Sequence, residues 1–92
     1  MENEIFVVVK EYTTYVEGLD HQVHGKVYEK HVKTGSSDFM YSVSHYCKGT
    51  ASAGSAYIPS AQLVDTLSLA ETLLLAYMKS FKNLGVIENK FF

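Results

Sequence analysis

Pro59 divides this chain into two kinds of polypeptide. Before it, apolar and polar residues tend to alternate, as they do along strands. After it, apolar residues recur at three- and four-residue intervals, the period of a helix. The 92 residues suffice for one domain, residues 1–92. This order predicts an α+β fold: an antiparallel three- or four-stranded sheet packed by one C-terminal α-helix, β-β-β-(β)-α.

The segment from Glu4 to Val16 is dense in β-branched and aromatic residues and holds no alanine or leucine. Both of its parities begin apolar. Such a strand is either covered on both faces near its start or shifted in register by a bulge, and it reads as a central or dimer-contacting strand. Glu17-Gly18-Leu19-Asp20 predicts a turn, followed by a second strand over His21–Lys33 in which Gly25 marks a bulge or a close backbone approach. Thr34-Gly35-Ser36-Ser37 predicts the next turn. Asp38 to Lys48 reads as one strand with Phe39, Tyr41, Val43, His45 and Cys47 on its core face. Residues 49–56 are all small and predict a loop, with an irregular fourth strand possible over residues 50–58.

The helical period runs from about residue 66 to residue 84. Ser68-x-x-Glu71 fits a capping box, Thr66 and Asp65 are alternative caps, and Gly85 suits the position after the last turn. At 100° per residue, the apolar positions span an arc of roughly 200°, about twice what one sheet face covers. That excess predicts a homodimer. Leu73, Leu75, Tyr77 and Met78 are the helix candidates for the contact, and the terminal Phe91 and Phe92 are further candidates.

Charge narrows the function. All eight basic residues are lysines, and ten acidic residues leave a net charge of −2. Without arginine the chain lacks the bidentate phosphate and base reader. Tyrosines and lysines on the strands keep a second reading open, a single-stranded nucleic-acid-binding module using a Lys/Tyr sheet face. The same tyrosines serve a protein interface, with Tyr12, Tyr15, Tyr28 and Tyr46 as its candidates.

A third reading, a small enzyme or metal-binding protein, rests on His45 and Cys47. Imidazole and thiolate are zinc ligands, and a thiol beside an imidazole is a nucleophile's arrangement. The four histidines show no HExxH spacing and the single cysteine no CxxC, so no metal, cofactor or catalytic residue is assigned. Glu11 and Glu29 read as solvated strand residues, and Gly49-x-x-x-x-Gly54 lacks the Lys-Ser/Thr of a phosphate loop. A lone cysteine, an acidic start and no apolar run longer than six residues predict a cytoplasmic protein with no membrane segment. The leading expectation is a small non-enzymatic protein-interaction domain. It is expected to self-associate, with a heterologous, basic protein that it inhibits or regulates as a further partner.

Overall fold

The computed structural model describes residues 4–59 and 62–92, so the acidic start at residues 1–3 lies outside the described residues. Strand β1 (Phe6–Tyr15) pairs antiparallel with β2 (Gln22–Lys30), and β2 pairs antiparallel with β3 (Phe39–Val43). A short β5 (Leu63–Val64) closes the far side of a four-stranded sheet of order β1-β2-β3-β5. Helix α1 (Leu67–Lys79) packs across β2, β3 and β5. Strands β4 (His45–Tyr46) and β6 (Ile87–Glu88) form a separate two-stranded ladder. The expected antiparallel sheet under one C-terminal helix is therefore present.

Both hairpin turns use backbone that favours glycine. Gly18 and Gly35 have φ of +86° and +88°. The second turn is fixed by Asp38, whose carboxylate accepts from the backbone N–H of Thr34 and Gly35 at 2.9 and 2.8 Å. These bonds, Thr34 first, hold its pKa below the ordinary carboxylate value.

The core lies between α1 and one sheet face. Val27, Tyr41, Val43, Val64, Ala70, Leu74 and Met78 form its larger part, and Val23, Cys47 and Phe81 form a second cluster. Gly25 lies beneath the helix. A methyl group there would sit 2.6 Å from Met78 Sδ and 2.8 Å from a Leu74 methyl, so the close approach expected of this glycine is real.

Five details differ from the sequence reading. First, β1 is not central but the rim of the sheet, although the bulge expected as one explanation of its start is present, at Val9 between the paired Val8 and Lys10. Second, the strand expected over residues 38–48 breaks at Ser44. The Ser44 hydroxyl accepts from His24 N–H at 2.8 Å, the place a strand carbonyl would take, and the Ser44 carbonyl accepts from Asn89 N–H instead. Past this break Tyr46 and Cys47 are both buried, and His45 leaves the core face.

Third, the fourth strand is Leu63–Val64, after the proline, and not within residues 50–58. Fourth, α1 ends at Lys79, five residues before the expected 84. Ser80 takes φ −92° and ψ 0°, and its hydroxyl donates to the Ala76 carbonyl, stopping the turn. Gly85 consequently lies in the following loop and not at the helix end. Fifth, the Ser68–Glu71 capping box does not form: the cap is Thr66, one of the alternatives the sequence offers, whose hydroxyl accepts from Leu69 N–H at 3.1 Å. Glu71 turns toward the sheet.

Candidate interaction surfaces

Sheet alternation sorts the candidate side chains. Val23, Gly25 and Val27 face α1, so Lys26, Tyr28 and Lys30 face the other way. Across the ladder, Lys10, Tyr12 and Thr14 of β1 share the helix side, whereas Phe6, Val8, Glu11, Thr13 and Tyr15 share the open side.

This places the four candidate tyrosines in four different settings. Tyr12 is half-buried on the helix side and donates its hydroxyl to Glu71 Oε2 at 2.9 Å. Lys10 reaches the other oxygen of Glu71 at 3.0 Å. The Lys10 bond, followed by that of Tyr12, holds the Glu71 pKa below its ordinary value. Tyr15 is exposed at the hairpin end, and Tyr28 is half-buried on the open face. Tyr46 is buried. The four do not share one surface, although Tyr28 and Tyr46 both line a recess of about 310 Å³ with Met40, Asn89 and Phe91.

The helix candidates divide too. Met78 is core, and Leu73 and Leu75 are half-buried. Tyr77 donates its hydroxyl to the Tyr57 carbonyl at 2.7 Å and accepts from Cys47 N–H at 3.2 Å. Burial is the main cause pushing its pKa up to about 12. Its ring stacks on Tyr57 and meets Phe81 edge-on. At the C-terminus, Asn89 hooks the chain onto the open face through bonds to the Val43 and Ser44 carbonyls. Phe92 then lies under Lys26, with Nζ 4.6 Å from its ring centre, and Phe91 projects into solvent.

His45 and Cys47 have different surroundings. The thiol is buried with Val23 and Phe81, and its sulfur accepts from Lys82 N–H. His45 instead packs against His21, with ring centres 4.5 Å apart and ring planes tilted by 37°, and its Nδ1 lies 2.8 Å from Ser44 Oγ. Asp20 pairs with His21 at 2.7 Å, and Glu88 stands across the β4–β6 ladder from His45. Burial, ahead of the neighbouring imidazoles, lowers the His45 pKa. Among the described residues no three histidine, cysteine or acidic side chains converge as a metal-binding set. Glu11 and Glu29 lie on opposite faces of the sheet, with Glu29 paired to Lys33.

The rim strand was missed as a free surface. Ile5, Val7, Val8 and Val9 expose 64%, 47%, 40% and 39% of their surfaces, and they adjoin one another. The cause is width. A helix about 10–12 Å across covers roughly two strands spaced about 4.8 Å apart, and α1 lies over β2 and β3. The sequence signal was present in the apolar start of both parities, but it admitted burial as readily as exposure.

Comparison with known proteins found no matching family model, no matching curated protein and no matching solved structure. Among the described residues no helix is long and apolar enough to cross a membrane.

Proposed function

We propose that this chain is a small non-enzymatic protein-interaction domain that self-associates through the rim of its sheet. The observation that carries the reading is β1 itself. It is a ten-residue strand with a neighbour on one side only among the described residues, and its first half is exposed and apolar. Sheet rims are commonly blunted by charge, by proline or by shortness. Here a bulge is present, but residues 5–9 carry no charge and no proline.

The nucleic-acid reading has weaker support. Lys10, Lys30 and Lys33 are engaged by Glu71, Glu4 and Glu29, and Lys26 covers Phe92. The enzyme reading has weaker support as well: among the described residues the Cys47 thiol lies with Val23 and Phe81 and His45 with His21 and Ser44. An inhibitory role toward a basic partner rests on the net charge of −2 alone.

Sedimentation equilibrium over a wide concentration range tests the proposal. A mass rising from 10.3 kDa toward twice that value is expected. A monomer at every concentration overturns it.

A further inference from the structure

We infer that the contact is an antiparallel pairing of β1 with β1 of a second copy, centred on Val7; this rests on the self-association proposed above. The argument begins with register. A two-fold axis normal to the sheet sets residue i opposite residue j with a constant, even sum and keeps both helices on one side. Centring on Val7 pairs Val7 with itself, Phe6 with Val8, and Ile5 with Val9. Every residue from Ile5 to Val9 then meets an apolar one. Centring on Val8 sets Lys10 against Phe6, and centring on Lys10 or Glu11 sets like charges face to face. Of these registers, only the one centred on Val7 sets no charge against an apolar or like-charged residue across Ile5–Val9. The bulge at Val9 bends the rim and ends the pairing before Lys10, which stays with Glu71.

The open face supports the same axis. Val8, Tyr28, Met40 and Leu63 are successive cross-strand partners, forming an apolar row over all four strands. In the paired dimer, Val8 of one copy abuts Phe6 of the other, on the same face. The two rows then join into one band across eight strands, about 34 Å long at a spacing of about 4.8 Å per strand.

The contact is small. Five strand residues on each side bury on the order of 500 Å² per copy, below the roughly 800 Å² of a standard stable interface. A dimer in exchange with monomer follows, with a mass that depends on concentration.

Disulfide trapping tests the register. In a Cys47→Ala background, Val7→Cys is expected to form a covalent dimer under mild oxidation, because the two Val7 positions are directly opposite. Leu75→Cys on the helix is expected to form no covalent dimer. Val8→Lys, at a position already exposed, should leave the circular dichroism spectrum unchanged and weaken dimerisation at least tenfold. A dimer that Val7→Cys does not trap, or that Leu75→Cys does, overturns the register and leaves self-association standing. A wild-type monomer at all concentrations overturns both.

Discussion

Replacing Gly25 by alanine tests whether the seat of the helix on the sheet is as tight as the structure describes. The added methyl group would stand 2.6 Å from Met78 Sδ and 2.8 and 3.1 Å from two Leu74 methyl carbons. Optimal separations between such atoms are about 3.5–4.0 Å, so the contacts are short by roughly 0.4–1.4 Å. Leu74 is fully buried and cannot swing its methyl groups into solvent. Met78 is more adaptable, because its thioether rotates easily. Inserting one carbon into such a site costs typically about 1–3 kcal/mol. Against this, alanine restricts the unfolded chain and returns about 0.4–1 kcal/mol. The net expectation is a loss of about 1–2 kcal/mol, a sizeable part of the roughly 5–14 kcal/mol that a domain of this length commands.

Urea unfolding followed by circular dichroism reads this directly. The midpoint should fall with an unchanged slope, since the folded and unfolded surfaces are nearly the same. A second variant isolates the cause. Met78→Ala should cost less in the Gly25→Ala background than alone, with a coupling of at least about 0.5 kcal/mol. If Gly25→Ala is as stable as the parent, or if the two substitutions add without coupling, the helix does not sit on this glycine.

Two other outcomes follow from side chains already described. Burial holds the His45 pKa below the ordinary imidazole value, so the unfolded chain takes up that proton first. Stability should therefore fall as the pH drops below about 6.5. A melting-temperature series from neutral pH to about pH 5 should show a shallower fall in His45→Gln than in the parent. Tyr77→Phe removes a hydroxyl that joins the Tyr57 carbonyl to Cys47 N–H, at an expected cost of about 1–2 kcal/mol in urea unfolding. In the parent, ultraviolet titration should show one tyrosine ionising near its raised value of about 12. That variant should lose this late step.

The fold was legible where residues compete little with one another. The glycines at 18 and 35 announced their turns because no other residue takes positive φ so freely, and Gly25 announced a close approach because nothing larger fits. The break in the third strand was hidden because Ser44 does in space what alternation cannot express. Its hydroxyl replaces its own carbonyl in the ladder, and the carbonyl goes to Asn89, 45 residues later. The early helix end was hidden for a similar reason. Ser80 lies within an apolar period that continues through Phe81 and Leu84, but its hydroxyl bonds back onto the last turn. Glu71 fits a capping box by spacing, and its engagement by Lys10 and Tyr12 depends on a strand sixty residues earlier. The tyrosine candidates were separated because Tyr12 and Tyr28 have opposite facings set by the ladder and its bulge, and Tyr46 follows the turn at Ser44.

The shortened helix also moves the argument for a partner to a different part of the molecule. Read as a helix through residue 84, the chain carries its apolar excess on the helix surface. With α1 ending at Lys79, Phe81 leaves that surface and buries against Val23 and Cys47. Ala70, Leu74 and Met78 fill the inward stripe. What remains uncovered is set by geometry. Two hairpins laid side by side put the first strand at the rim, and the helix that follows β5 returns over β2 and β3. One helix cannot span four strands, so the helix side of the rim at Ile5–Val9 stays bare, and Val8 on the opposite face is exposed as well. An isolated apolar rim is a position that another strand can extend. The strand with the matching length, charge and two-sided apolar character is this same segment in a second copy.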